Sequence, residues 1–477
     1  MEATLNGVLV RTAVSLSAVV AAVMLASAPH AAPAPAPQYS APAGSGALFL
    51  FSGHGYGHGV GMGQWGAQGY AKQGYTYEQI LDSYYPGTTL DQTSTTSIRV
   101  LLASGKKQLT VASKKPTDVE DGDGLDHTLP AGSTTLTPAL KLAVDGGPAQ
   151  ALDPPLTFLP AAGTSLTLGG RRYRGRLVVD VPNKKLRAIN VLPLQQYLYG
   201  VVTAEMPSSW LPASLEAQAV AARSYALANR QAGAPFDVYA NGRSQAYLGV
   251  SGEAAAGRQA VDETSGQVLL YDGTVADTFF SSSTGGWTQS AADAFGGPGR
   301  PYLVSVRDPY DAISPYHDWG PVPVTGKTLG SAVGVLGRVV DASVKRNSSR
   351  RVKTLKVTSL SRGSQLAATA GGASIASGLG LRSTWFSVGV LSLQPPSPNP
   401  ILARGKRVTL TGVVRGVRGV VLQQATAGTA WTQLRKITKS GAFQLSIRPK
   451  VTTKYRLATK NDAAAPVRIR VQAATVK

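Results

Sequence analysis

The chain has 477 residues, 43% of them hydrophobic, with 47 Lys and Arg against 26 Asp and Glu, a net charge of +21. That length exceeds one simple core and predicts two or three domains. The sequence contains no cysteine, which excludes disulfides, thiol catalysis and Cys-ligated zinc. The basic balance points to an anionic partner: nucleic acid, a membrane surface or an anionic polymer.

The N-terminus narrows that choice. Arg11 precedes a small-apolar run from Thr12 to Ala26, and Ser27 and Ala28 follow it. This pattern predicts a secretory signal over residues 1–31, cut after Ala28 or Ala31. The run is short for a membrane span, and no later segment is long and apolar enough to cross. Export argues against a nucleic-acid role. Residues 32–47, rich in Ala and Pro, are expected to form an extended linker.

Residues 48–393 read as a main domain of mixed α/β type. Strands are expected at Ser97–Ala103 and Arg176–Val181, and helices at Thr76–Tyr85, Pro212–Arg230 and Gly252–Glu263. Pro212 suits a first helical turn. Leu215, Ala219, Ala222 and Ala226 recur at helical spacing behind it and form one apolar face. Residues 394–400 hold four prolines and read as a second linker. Beyond it, residues 401–477 alternate polar and apolar positions in short runs, as a small β-sandwich does. The fold class is therefore α+β, a mixed α/β domain followed by a small C-terminal β-sandwich. From Pro395 onward there are 16 Lys and Arg against one acid, Asp462, so +15 of the +21 lies in this module. It reads either as a solvated basic surface or as a tether to an anionic wall polymer.

The stretch from Tyr197 to Leu227, YLYGVVTAEMPSSWLPASLEAQAVAARSYAL, sets Glu205 between an apolar strand-like run and the helix from Pro212. Carboxyl groups at such junctions are frequent in active sites. Beside Val201, Val202 and Trp210, a partly desolvated Glu205 has the means to hold its proton near neutral pH. From the residues alone, a capping or ion-paired structural role fits as well.

This stretch resembles the core of the SpoIID/LytB family, named for the stage II sporulation protein D. Three further segments agree in order: GHGYGHGVGMGQWGAQGYAKQGYTYEQILDSYYPGT (53–88), TSGQVLLYDGTVADTFFSSSTGGWT (264–288) and GLGLRSTWF (378–386). In sporulation-type members the GHG segment lies near the C-terminus, whereas here it comes first. Members of that type are lytic transglycosylases of peptidoglycan that prefer strands stripped of stem peptides, and others are described as enhancers of a cell-wall amidase. The resemblance implies a secreted, wall-associated protein with peptidoglycan glycan strands as substrate, a cell-wall amidase as a further partner, and no cofactor.

The family's catalytic acid in E-M-P maps to Glu205, and the Arg of A-Q-A-V-A-A-R maps to Arg223. A guanidinium there would suit the lactyl carboxylate that removal of a stem peptide exposes; the alternative is a helix-face ion pair. Ala213 and Glu216 depart from the family pattern as surface substitutions. His58 and Gln64 lie on a glycine-rich segment expected to line the sugar cleft. His54 and His58 stand four apart, but the glycines between them oppose a helix and no nearby carboxylate completes a metal-ligand set. Ser282 and Ser283 close a polar strand exit suited to sugar hydroxyls. No nucleophile elbow surrounds them, although His317 is the nearest His. Some sporulation-type members hold zinc near a C-Q-x-Y element. The matching stretch here, Arg243 to Tyr247, has no Cys, so no metal is implied; Gln245 and Tyr247 are left as substrate contacts, with Tyr247 either a stacking surface for a sugar ring or equally a core tyrosine. The acidic run from Asp118 to Asp126 lacks the Glu of a calcium loop and reads as a solvated surface loop.

Two other readings stay open. One is a non-catalytic amidase enhancer or glycan-binding protein. The other is a hydrolase pairing Glu205 with Asp277, Asp293 or Asp308, since hydrolysis by the usual route takes two carboxyl groups.

Overall fold

A computed structural model describes residues 46–231 and 233–472. The expected signal over 1–31 and nearly all of the 32–47 linker lie outside them. The fold is mixed α+β, with several antiparallel sheets and eight α-helices among the described residues. No helix among them is long and apolar enough to cross a membrane.

The helices are α1 (Gln64–Lys72), α2 (Tyr77–Tyr84), α3 (Leu194–Glu205), α4 (Pro212–Ala228), α5 (Ala255–Glu263), α6 (Ala291–Phe295), α7 (Gly326–Val333) and α8 (Gly372–Gly378). Thr76 caps α2 through a reciprocal box. Its Oγ1 accepts from Gln79 N, and Gln79 Oε1 accepts from Thr76 N, so two donors at the helix start are satisfied. Helix α4 carries Pro212 in its first turn. It is buried on every side between α1, α2, α3, α5 and the strand Gln267–Tyr271. The single apolar face expected for α4 is thus a full circumference, which its small Ala and Ser side chains permit.

Helix α3 corrects one expectation. The run before Glu205 is helical, so Glu205 ends a helix rather than following a strand. Leu194, Tyr197, Leu198, Val201, Val202 and Glu205 are all buried, and they recur three and four apart, along one helix face. β-Branched Val201, Val202 and Thr203 cost only a few tenths of a kcal/mol each in a helix, up to about 0.7. Burying that face outweighs the cost. Met206 leaves in an extended conformation (φ −123°, ψ 146°), and Pro207 follows.

Two sheets position the helices. A seven-stranded sheet runs in the order Val238–Tyr239, Ser97–Lys106, Leu186–Pro193, Arg176–Asp180, Leu156–Leu159, Thr117–Glu120, Asp126–Leu129. Leu156, Phe158, Leu177 and Val179 alternate into its core, as the period of two requires. The strand Leu186–Pro193 runs directly into α3. The acidic run is a tight hairpin turn. Its Asp121 is buried and accepts from Asp123 N and Leu125 N, while Gly122 to Asp126 are exposed, as a surface loop requires.

A five-stranded sheet runs in the order Asp318–Thr325, Leu48–His54, Phe386–Gln394, Val408–Arg415, Gly441–Ile447. Phe49 and Phe51 face one core with Val324, Val339, Leu355 and Phe386. Leu48 and Leu50 face the opposite core with Leu391, Leu410, Leu422 and Leu457. The second core is closed by the sheet of Thr432–Lys436, Val421–Ala425, Thr453–Ala458 and Val467–Ile469. The C-terminal sandwich therefore shares strands Leu48–His54 and Phe386–Gln394 with the main domain. The expectation of a self-contained sandwich over 401–477 is amended accordingly, and residues 395–400 join neighbouring strands of one sheet.

After His54 the glycine-rich segment crosses to the segment Phe279–Gln289. Met62–Gly63 pairs with Phe280–Ser281, Tyr56 with Ser283 and Val60 with Gln289. Gly59 has φ +71°, and a Cβ there would enter the Arg351 guanidinium, so glycine is required at that point.

Candidate functional site

Glu205 is 7% exposed. Its Oε1 accepts from Ala246 N at 2.6 Å and its Oε2 from Gln64 Nε2 at 3.5 Å. Burial raises its pKa above the ordinary value, and the two hydrogen bonds pull the other way without cancelling it. Its place at the C-terminal end of α3 also disfavours the anion.

Glu205 lines a cavity of about 420 Å³, a volume in the range of small-ligand sites. Tyr56 and His58 of the glycine-rich segment form part of its wall, with Ser281, Ser282 and α6 beside them. Val352, Lys353 and the start of α8 close another side. Cavity residues Ser282 and Thr384 have buried hydroxyls with no hydrogen-bond partner among the described residues.

His58 lines the cavity chiefly with its ring. Its Nδ1 accepts from Val60 N at 3.0 Å, and the ring lies 5.8 Å from both Phe279 and Phe295. Burial first, and the Arg351 charge second, lower its pKa to about 4. It is neutral at pH 7.

Other sequence candidates lie elsewhere. Arg223 is wholly buried and donates to Gln195 Oε1, the Gln267 carbonyl and the Val261 carbonyl. Burial lowers its pKa to about 10, so it stays charged. It braces α4 against α5 and does not line the cavity, which corrects the expected grip on a substrate carboxylate. Tyr247 is buried and donates from its hydroxyl to Asn190 Oδ1 at 2.7 Å, so it offers no stacking surface. Gln245 is buried behind the cavity and donates to the Tyr197 hydroxyl and the Ala222 carbonyl. Between them the Ala246 amide reaches Glu205. A backbone donor leaves no side-chain signature, and sequence reasoning missed it.

Ser283 is buried and donates to Asp311, which also bonds the His317 ring. Asp311 separates the serine from the histidine, so His317 is not a base for Ser283. This corrects Ser283 as a sugar contact. Of the three candidate aspartates, Asp277 pairs with Arg300 and Asn229, and Asp308 is buried with its pKa raised to about 7, chiefly by burial. Asp293 lines the cavity with Glu205. Burial opposes its charge, but hydrogen bonds from Ser349 and Ser348 prevail and hold its pKa below the ordinary value. Among the described residues no group of three or more His, Asp or Glu is placed to hold a metal ion.

Residues 182–271 match the sequence model of a family described as SpoIID, Stage II sporulation protein. The matched span contains α3, α4, Glu205 and Ala246. An uncharacterized protein of Brachyspira hyodysenteriae is 39% identical over 143 residues, covering 29% of this chain and 39% of that protein. Stage II sporulation protein D of Bacillus subtilis is 34% identical over 149 residues, covering 27% and 42%. A Bacillus subtilis protein named Amidase enhancer is 37% identical over 114 residues, covering 24% and 15%. The matched stretches thus span less than half of each relative. No solved structure matches.

Proposed function

The chain carries a SpoIID domain over residues 182–271, and on that premise we propose that it is a lytic transglycosylase of peptidoglycan glycan strands with Glu205 as its single catalytic group. The observation that carries this reading is the buried carboxyl of Glu205 on the cavity wall, with its pKa raised. Glu205 gives its proton to the oxygen of the MurNAc–GlcNAc bond as that bond breaks at C1. The resulting carboxylate then takes the proton of the sugar's own C6 hydroxyl as O6 bonds to C1. The products are a 1,6-anhydro end and a free C4 hydroxyl, with no water consumed and the enzyme's proton restored. General acid–base help of this kind contributes on the order of 10²–10⁴ in rate.

Gln64 suits both stages. Its amide donates through Nε2 to a carboxylate and accepts through Oε1 from a carboxylic acid after a half-turn of the amide. Ser282 and Thr384 supply hydroxyls to the sugar, and the phenylalanines beside His58 keep the site dry. The basic tail retains the protein on anionic wall polymers.

Two observations favour other readings. Asp293, held ionised on the same cavity, supports a hydrolase with two carboxyl groups. The likeness to a protein named Amidase enhancer supports a non-catalytic role on the glycan, with a cell-wall amidase as partner. Mass spectrometry of products from peptide-free glycan strands separates the three. Ends one water lighter than reducing ends support the transglycosylase, reducing ends the hydrolase, and binding without products the enhancer.

A further inference from the structure

Arg382 does not itself line the Glu205 cavity, but it lies two residues before Thr384 and bonds through its backbone to Gly57, both of which do; the acid–base chemistry above does not use it. It lies on the segment between α8 and the strand Phe386–Gln394. Its carbonyl accepts from Gly57 N at 2.9 Å, which ties it to the glycine-rich segment between the cavity residues Tyr56 and His58. Its guanidinium lies 4.7 Å from the Tyr316 ring centre and 5.6 Å from that of Tyr56. Those two rings meet edge to face at 5.0 Å.

The side chain is exposed, and among the described residues it joins no ion pair. A guanidinium stacked on aromatic rings is oriented in advance, and its in-plane N–H donors stay free for a planar anion. Two residues on, Thr384 lines the cavity, its hydroxyl buried and without a partner among the described residues. Exposed Lys353 lines the same cavity and adds positive charge.

We infer that Arg382, steadied by Tyr56 and Tyr316 and flanked by Thr384, forms a subsite for a carboxylate carried on the glycan. The inference rests on the proposed function and deepens it. A sugar whose acid side arm is free presents two coplanar oxygens to the fork of Arg382. The same arm joined to a peptide is an amide, with one oxygen and no charge. Arg382 is thus the specificity-determining residue that separates stripped strands from peptide-bearing ones, the task that buried Arg223 does not perform.

The test is equilibrium binding at low salt, in the Glu205→Gln background so that no strand is cut. The probes are peptide-free glycan strands and the same strands with their carboxylates converted to methylamides. The expected result is about tenfold tighter binding of the free-carboxylate strands, shrinking as salt is raised. Adding Arg382→Gln reduces that preference to about twofold or less, while Arg382→Lys keeps part of it through charge alone. Equal binding of both strands by the background protein, or an unchanged preference in Arg382→Gln, overturns the subsite. The comparison of the two strands needs no change at Arg382 and so survives a variant that fails to fold. Discrimination in binding without cleavage by the wild type upholds the subsite and removes the transglycosylase reading. Failure of both strands to bind removes both.

Discussion

Glu205 and Ala246 are joined by a 2.6 Å hydrogen bond from the Ala246 amide to Glu205 Oε1, across 41 residues of sequence. The bond fixes which carboxyl oxygen is occupied. A neutral Glu205 still accepts through Oε1, and its proton then sits on Oε2, the oxygen beside Gln64.

The raised pKa of Glu205 has a consequence for stability. Burial makes the folded protein hold this proton more tightly than the unfolded chain does. As pH rises from the ordinary Glu value, about 4.3, through the raised one, the folded state loses stability relative to the unfolded. Glu205→Gln escapes that loss. Thermal melting is expected to place this variant above the wild type at neutral pH, with the gap closing near about pH 4. A wild type that melts higher at neutral pH contradicts the assignment.

On the proposed mechanism cleavage requires protonated Glu205, so the rate is expected to fall as pH rises through its raised pKa. The Gln64 hydrogen bond favours the charged form. Gln64→Ala is therefore expected to move that falling limb to higher pH while lowering the maximal rate severalfold. A pH–rate profile of the two proteins reads both effects.

Arg223 is a structural prediction. Arg223→Ala removes the donor to the part-buried Gln267 carbonyl and to Gln195 Oε1, and one donor to the buried Val261 carbonyl, which keeps Gln195 Nε2. Each buried acceptor left unpaired costs about 1–3 kcal/mol, so a loss of several kcal/mol in urea unfolding is expected. Substrate KM of the protein that remains folded is expected to stay within about twofold of the wild type.

Asp293 separates the one-carboxyl mechanism from the two-carboxyl one. If Glu205 works alone, Asp293→Asn retains anhydro-ended products. Its pKa lies below the ordinary value because Ser349 and Ser348 stabilise the charged form against burial. That contribution to stability is complete above the unfolded Asp value, about 3.9, and disappears as pH falls through the folded value. Asp293→Asn is thus expected to be less stable at neutral pH, with the deficit shrinking in acid.

Glu205 stands out in the sequence through a motif, and its burial on a cavity wall is not something its neighbours in sequence reveal. The run before it reads as a strand from Val201, Val202 and Thr203, and only the packing of Leu194, Tyr197 and Leu198 on one face makes it a helix. Arg223, Tyr247 and Ser283 have the chemistry of sugar contacts, but burial turns each to an internal partner, and residue type carries no record of that. Alternation over Val408–Arg415 marks a strand without revealing that its neighbour is Phe386–Gln394. The GLGLRSTWF segment reads only as part of a resemblance, and Arg382 within it gains meaning from Tyr56 and Tyr316, which are far from it in sequence.

The central claim is that Glu205 alone moves the proton at both stages. Its most direct test is mass spectrometry of glycan ends after incubating peptide-free strands with the wild type and with Glu205→Gln, both shown to bind the strands. Anhydro ends are expected from the wild type, with a loss on the order of 10²–10⁴ in their rate of formation by the variant. Anhydro ends formed by the variant at the wild-type rate would contradict that claim.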